Sequence, residues 1–137
     1  MIANDRVTVT VVVRAAQAEA FRMFTEEVDA WWRRGPRYRQ RDGAMRLDAG
    51  GLAEGGEQIG RVIEWQPPAR LLIELWTWSF RPRERTEVEV RFEAVGDGTR
   101  VTVEHRGWER RPSGAAQFRT EVGLWWGAMA AGIGRRG

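Results

Sequence analysis

The side chain that stands out for its chemistry is His105, the only histidine in a chain of 137 residues. It follows a run in which Val101 and Val103 alternate with Thr102 and Glu104, the pattern of a strand with one apolar and one polar face. His105 falls on the apolar face. An imidazole could act there as a general acid or base, or hold a polar group of a ligand. The alternative, which we favour, is a core histidine hydrogen-bonded to a backbone carbonyl.

Tryptophan is the second feature, with eight copies in the chain. A buried indole supplies a large apolar surface and one N–H group that needs an acceptor. Some of these side chains must form the core, but ligand pockets are also mostly aromatic with a few polar groups. We therefore predict that part of the set faces a ligand. The candidate ligand-binding residues, taking aromatic, aliphatic and histidine side chains together, are Trp32, Trp76, Val90, Phe92, His105, Phe118, Val122, Trp125 and Trp126.

The segment 70–78 leaves one question open. Trp76 and Trp78 share a face with Glu74, and the opposite face carries three aliphatic side chains, Leu71, Ile73 and Leu75. The pattern does not determine which face is inward. Exposure of the two tryptophans would indicate a partner surface.

Other catalytic constellations are missing from the sequence. There is no glycine-rich phosphate loop and no convincing Ser-His-Asp arrangement, and the lack of cysteine excludes thiol catalysis and thiolate metal sites. The acid–base candidates are His105, Tyr38 and Glu64. A metal site is not expected, because the carboxylates near His105 are predicted to lie on the polar face. We expect no cofactor, and His105 is the one catalytic candidate if the protein is an enzyme.

All of the basic residues are arginines, 22 of them against 19 acidic residues. Five arginines cluster without an acid among them, at Arg33, Arg34, Arg37, Arg39 and Arg41. They could form a patch for an anion or a nucleic acid. Because no helix or aromatic platform of a nucleic-acid module accompanies them, we favour a solvated loop and an edge strand kept soluble by charge. Nucleic acid is not expected as a partner.

The length fits one domain over residues 1–137. No run of about 18 apolar residues predicts a membrane span, so a membrane partner is not expected. The first residues do not resemble a secretory signal. The expected localisation is cytoplasmic.

Hydrophobic periodicity predicts a strand, a helix, a run of antiparallel strands and a final helix. The predicted strands cover 7–13, 37–41, 44–48, 52–54, 59–65, 70–78, 86–93 and 99–105. Helical spacing over 21–32 predicts a helix, or a helix pair broken near Thr25. Ser113 is a predicted N-cap for the final helix. The apolar face of that helix carries Phe118, Val122, Trp125, Met129 and Ile133.

This order of elements predicts an α+β fold. Sequential strands with short turns form a meander, and a curved sheet wrapped around the final helix buries the apolar faces of both. A hairpin turn at Gly96–Gly98 would place His105 opposite Val90. Gly123 and Gly127 leave two interpretations of the final helix: close approach of a ligand or backbone, or an early end near Gly127.

The ordered set of motifs resembles the START-like superfamily, also called SRPBCC, over about residues 7–130. Within it, the chain is most similar to the subgroup named for homologues of the activator of the heat shock protein 90 ATPase. The motifs are Phe21, Phe24-Thr25, Trp31-Trp32, Gly50-Gly51, Gly60-Arg61-Val62, Trp65, Pro67-Pro68, Arg70-Leu71, Trp76, 86–92, Gly98-Thr99-Arg100-Val101 and 104–108. The resemblance implies a helix-grip (START/Bet v-like) fold, with an internal apolar cavity between the sheet and the C-terminal helix.

The resemblance implies a protein that binds a hydrophobic or aromatic small molecule, without catalysis in our first hypothesis. The alternatives are a cyclase or dehydratase-type enzyme with His105 as acid–base, and a chaperone-associated interaction module. The chain departs from its relatives at Leu52-Ala53, where they usually have an aromatic pair, so the cavity could be larger or more open here. We expect a monomer or a weak homodimer.

Overall fold

The computed structural model describes residues 6–36, 38–39, 41–76, 85–107 and 115–136, with the side chains of 122–134 in the last of these ranges. The described residues form seven strands: β1 (Arg6–Val13), β2 (Met45–Asp48), β3 (Gly51–Glu54), β4 (Glu57–Gln66), β5 (Arg70–Leu75), β6 (Thr86–Val95) and β7 (Gly98–Arg106). They also form three helices: α1 (Gln17–Glu26), α2 (Val28–Trp31) and α3 (Ala115–Arg136).

The strands build one antiparallel sheet in the order β1-β7-β6-β5-β4-β3-β2. Strands β2 to β7 follow one another as a meander, and β1 closes the sheet beside β7. The sheet is curled, and α3 packs along β1. The predicted helix-grip arrangement is therefore confirmed. Among the described residues, no helix is long and apolar enough to cross a bilayer.

The β6–β7 hairpin confirms the predicted inward direction of His105, which is fully buried. Its predicted partner was wrong by two residues. The tight turn lies at Gly96-Asp97, with Val95 paired to Gly98, so His105 lies opposite Val88, and Val90 pairs with Val103. Gly96 has a φ of +56°, a left-handed conformation that glycine adopts at little steric cost.

The predicted strand at 37–41 is wrong for its described residues, because Tyr38, Arg39 and Arg41 are not in a strand. Strand β2 instead pairs with β3 and forms the edge of the sheet. The expectation of a solvated arginine loop is also wrong at one position. The Arg39 side chain is 0% exposed, whereas Arg33, Arg34 and Arg41 are exposed.

The open question about segment 70–78 has an answer in β5. Leu71, Ile73 and Leu75 are buried in the core, while Glu74 lies on the outer face and pairs with Arg61. The strand ends at Leu75, before Trp76, and residues 77 and 78 lie outside the described residues.

The helices follow the predicted faces. The break between α1 and α2 falls at Glu27, close to the predicted position. In α3, Val122, Trp125, Met129 and Ile133 are buried, while the predicted N-cap Ser113 lies outside the described residues.

Helix α3 continues to Arg136, so the interpretation in which it ends near Gly127 is wrong. The close approach lies about two helical turns beyond that point. A Cβ atom placed on Gly134 would lie 2.8 Å from Val11 Cγ2 of β1, whereas one on Gly127 would meet nothing within 4 Å.

Candidate functional site

A small void lies inside the protein, between the sheet and the helices. Its lining is wholly apolar: Phe24, Trp31, Trp32, Leu47, Leu52, Ile73, Leu75, Val88 and Trp126. Its volume, counted as the space open to the centre of a water molecule, is about 20 Å³. That is room for about one water, and a void with no polar partners stays dry. The side chains around the void therefore leave little free space between the sheet and the helices.

Three indoles, with Phe24, form the aromatic part of this lining. The ring centroids of Trp31 and Trp32 are 5.6 Å apart, and each lies between 6.2 and 6.4 Å from the ring of Trp126. Trp31 Nε1 donates to the carbonyl of Phe24, and Trp32 Nε1 donates to the carbonyl of Tyr38, both at 2.9 Å. Because backbone acceptors satisfy both N–H groups, these two indoles can present carbon alone to the void.

Arg39 holds the segment that carries Trp31 and Trp32. Its guanidinium donates to Asp29 Oδ1 at 2.8 Å, to the carbonyl of Gly43 at 2.9 Å and to the carbonyl of Asp29 at 3.0 Å. It also donates to the carbonyls of Trp32 and Arg33. Carbonyls at the end of a helix lack intrahelical partners, so this fork caps α2 from inside the protein.

Asp29 completes this anchor and ties it to the sheet. Its Oδ1 accepts a hydrogen bond from the backbone N–H of Met45, at the start of β2, at 2.8 Å. This bond, with the hydrogen bond from Arg39, lowers the pKa of Asp29 below its ordinary value despite partial burial. Asp29 therefore remains ionised opposite the buried guanidinium. No pattern in the sequence signals this pair, since the two residues are ten apart and share no periodicity.

His105 occupies a second buried polar cluster, beside the void but not among its lining residues. Trp126 Nε1 donates to His105 Nδ1 at 3.0 Å, and His105 Nε2 lies 2.6 Å from Thr86 Oγ1. An indole N–H can only donate, so Nδ1 is the acceptor and the proton of the neutral ring is on Nε2. Burial lowers the pKa of His105 to about 3. The favoured core role fits this geometry, with two side chains as partners where a backbone carbonyl was expected.

This geometry is unsuited to acid–base catalysis by His105. A general acid or base needs a nitrogen that reaches the substrate and a pKa near the working pH. Both ring nitrogens are engaged by protein side chains, and the ring is 0% exposed. The other acid–base candidates lie elsewhere: Glu64 pairs with Arg70 on the outer face, and Tyr38 stacks on Trp125 with 5.9 Å between ring centroids.

The predicted ligand-binding residues divide into three groups. Trp32 and Trp126 line the void. A second group is buried in the core around it: Val90, Phe92, His105, Val122 and Trp125. Trp76 does not line the void: it packs against the core, half-buried, with the Arg85 guanidinium 4.7 Å from the centre of its ring. The side chain of Phe118 lies outside the described residues.

Several lining residues were not among the candidates. Trp31 is one of them, although it adjoins Trp32 and follows the same helical spacing. The others are aliphatic side chains of the sheet, with Phe24 of α1. Leu52 stands where an aromatic residue was expected from the resemblance, and it does face the void. Ile73, Leu75 and Val88 could have been identified from the inward direction of His105, because Val88 pairs with His105 and Ile73 pairs with Val88.

A larger groove lies on the other side of Trp31 and Trp32, open to solvent. It has a volume of about 470 Å³ and is lined by Asp29, Ala30, Trp31, Trp32, Arg33, Arg34 and Gly132. Trp31 and Trp32 thus contribute to the linings of both this outer groove and the inner void, and both residues are buried. Within the part of the chain that the structure describes, no three histidine or carboxylate side chains are grouped to hold a metal ion.

A curled seven-stranded sheet packed around a long C-terminal helix, with aromatic side chains at their junction, defines a helix-grip protein of the START-like superfamily. The sequence profile described as "Activator of Hsp90 ATPase homolog 1-like protein" matches residues 14–131. The chain therefore belongs to this family. A search of curated proteins returned no match.

Three solved structures illustrate the likeness. CalU16 from Micromonospora echinospora is 24% identical with a TM-score of 0.68, over 95% of this chain and 74% of that one. An HSP90 activator from Plasmodium falciparum, PFC0360w, is 16% identical with a TM-score of 0.58, over 76% and 74%. The Aha1 dimer from Colwellia psychrerythraea is 14% identical with a TM-score of 0.61, over 94% and 96%. At these identities the likeness shows the fold alone.

Proposed function

We propose that the protein, as one domain over residues 1–137, binds a hydrophobic or aromatic small molecule between the sheet and α3, without catalysis. The observation that carries this proposal is the apolar void walled by Trp31, Trp32 and Trp126. Such a lining recognises an aromatic or aliphatic ligand by packing and by the removal of apolar surface from water. We take the cytoplasm as the compartment and a monomer or weak homodimer as the working state.

The size of the void sets a condition on binding. At about 20 Å³ it cannot hold an aromatic ring, so a ligand must displace part of the wall. Trp31 and Trp32 are the side chains whose movement would join the void to the outer groove of about 470 Å³. The bound and free proteins therefore differ in the positions of these two indoles, and the ligand selects or induces the open arrangement.

The two alternatives find less support in the described residues. A cyclase-type reaction loses its leading acid–base group, because His105 is buried with both nitrogens bonded to side chains. A chaperone-associated role is supported by the name of the family and by the fold shared with the HSP90 activator from Plasmodium falciparum. Trp76, which that role would expose, is half-buried and in contact with Arg85.

The test uses the neutral fluorophore N-phenyl-1-naphthylamine and native mass spectrometry of the purified protein. We expect the probe to become fluorescent on binding, to raise the melting temperature by mass action, and to change the tryptophan emission. Leu52→Phe, which fills the void with carbon, should weaken binding, whereas the matched control Leu124→Phe, at a side chain that is 73% exposed on α3, should not. The proposal fails if neither a co-purified molecule nor probe binding is found.

A further inference from the structure

The outer groove differs from the inner void in its charge. Its lining includes the buried residues Trp31 and Trp32, two arginines, Arg33 and Arg34, and one carboxylate, Asp29. A groove of about 470 Å³ is large enough for a drug-sized molecule, unlike the void behind it. The sign of the charge that this groove presents therefore decides which ligands it can hold.

The buried guanidinium of Arg39 determines part of that charge. Arg39 is paired with Asp29 at 2.8 Å and is 0% exposed, so it neutralises that carboxylate from inside the protein. The hydrogen bonds from Met45 and Arg39 keep Asp29 ionised, and the buried positive charge of Arg39 balances its negative charge. The two arginines that line the groove therefore leave it with an excess of positive charge.

Arg33 and Arg34 are also placed to use that charge. Arg34 is 58% exposed, and its nitrogens lie 3.6 Å from Asp29 and 3.6 Å from Asp42, which is beyond good hydrogen-bond length. The Arg33 guanidinium lies 5.4 Å from the ring centre of Tyr38, a contact that orients the group but uses none of its N–H donors. An anion in the groove would give both side chains shorter, charge-assisted hydrogen bonds.

We propose that the outer groove binds the anionic end of an aromatic ligand, with Arg33 and Arg34 on the acid group. The ring of the ligand packs on Trp31 and Trp32 after these two indoles, 3% and 4% exposed in the free protein, have moved as the proposed function requires. The ligand class is thus a planar aromatic carboxylate or sulfonate. The inference rests on the proposed function, which needs only the apolar part of such a molecule. What is new is that the ligand must carry a negative charge, which Arg33 and Arg34 recognise.

Two probes that differ by one group separate these claims. The anion 1-anilinonaphthalene-8-sulfonate and the neutral N-phenyl-1-naphthylamine share a ring skeleton, and only the first carries a sulfonate. We expect the folded protein to bind the sulfonate about tenfold more tightly at low salt, with the advantage reduced at high salt. The double variant Arg33→Gln/Arg34→Gln should lose this advantage and keep its affinity for the neutral probe.

Arg46→Gln is the matched control, since Arg46 lies on β2 outside the groove lining, with a side chain that is 77% exposed. It removes one positive charge from the surface and should leave the preference for the sulfonate intact. The melting temperature of each variant shows whether it is folded. The indole ¹H–¹⁵N signals of Trp31 and Trp32 give the location, because both N–H groups have fixed backbone acceptors in the free protein.

Equal affinity for the two probes, or a sulfonate preference that survives in the double variant, overturns the inference while the proposed function stands. A sulfonate that binds without shifting the Trp31 and Trp32 signals overturns it too, because the groove is then not the site. If neither probe binds, the proposed function and the inference both fall.

Discussion

The two faces of the β6–β7 hairpin hold ionisable groups by opposite means. On the outer face, Glu89 is ion-paired with Arg70, Arg91 and Arg106. Burial by itself would raise the pKa of Glu89, but the hydrogen bonds from Arg106 and Arg70 outweigh it and lower the pKa to about 2. On the inner face, burial lowers the pKa of His105 to about 3. Glu89 therefore remains ionised beside its arginines, whereas His105 remains neutral.

The contrast shows what each face can do. On the outer face, partly exposed arginines can pair with a carboxylate, so the carboxylate stays ionised at a modest cost in free energy. On the inner face, the partners of the two ring nitrogens are the uncharged side chains of Thr86 and Trp126. Burial there therefore favours the neutral form of His105. Arg39 differs from His105 because it remains charged although it is buried, and its guanidinium is paired with Asp29 and backbone carbonyls.

Loss of that buried guanidinium should have the largest effect. We expect Arg39→Met to reduce the free energy of unfolding by about 3–5 kcal/mol, because several carbonyls lose their donor and Asp29 loses its buried countercharge. Arg39→Lys should recover only part of this, since an ammonium cannot reproduce the fork. Urea denaturation at pH 7.5 measures both. Equal stability of the methionine variant and the parent would show that Arg39 is not an anchor.

Acid should act on the inner face before the outer one. The folded-state pKa of His105, about 3, is below the ordinary 6.5, so its contribution is fully present above pH 6.5 and is lost as pH falls from there toward 3. Stability should decline by up to about 1.4 kcal/mol per pH unit below 6.5, or about 2–3 kcal/mol by pH 4.5. Denaturation at several pH values measures this slope.

The control for the acid response is His105→Gln, which cannot titrate. Because His105 is the only histidine, the variant should have a nearly flat stability between pH 6.5 and 5. A parent protein that is equally flat over this range would mean that the imidazole is accessible to protons in the folded state, which its burial and its two hydrogen bonds oppose.

The indole partner of His105 gives the next effect. Trp126→Phe removes the donor to Nδ1 and some packing, and should cost about 2–3 kcal/mol. It should also make protonation of His105 easier, because the neutral ring loses a hydrogen bond. Thr86→Val tests the other nitrogen and should be the milder change, since it leaves the bond at Nδ1 in place. A pKa of His105 that does not rise in the phenylalanine variant, followed by NMR, would contradict the assigned role of the indole.

The outer face should give the smallest effect. Glu89→Gln removes the central carboxylate of the arginine network and should cost about 1–2 kcal/mol at low salt, with less loss at 1 M NaCl. Since the folded pKa of Glu89 is depressed, its contribution is present above pH 4.5 and is lost as pH falls toward 2. Denaturation at two salt concentrations measures this. A loss that salt does not change would place Glu89 with the buried groups.

Those parts of the fold that depend on local alternation could be predicted from the sequence. The inward direction of His105 and of Val122, Trp125 and Met129 followed from period and spacing alone. The partner of His105 was missed because register depends on the turn, which was predicted over Gly96–Gly98 and consists of Gly96-Asp97 alone. On β5, apolar residues at 71, 72 and 73 hid the alternation, so the pattern indicated no inward face.

The candidate site was harder to predict. Trp32 and Trp126 were identified as aromatic residues suited to a pocket, and both line the void. Arg39 was missed, because its partners are backbone carbonyls and one aspartate that only the folded chain brings together. The outer groove depends on the approach of α2 to the end of α3, a tertiary contact with no sequence pattern of its own.

The alternation along β7 also limits how this chain can change in length. Deleting or inserting one residue within the strand would turn His105 outward and carry Glu104 into the core, away from its partner Arg6 on β1. The turn at Gly96-Asp97 lies outside the paired segment and reverses the chain without contributing to either face. Length variation between this protein and its relatives should therefore accumulate at that turn, and β6 and β7 should keep their lengths.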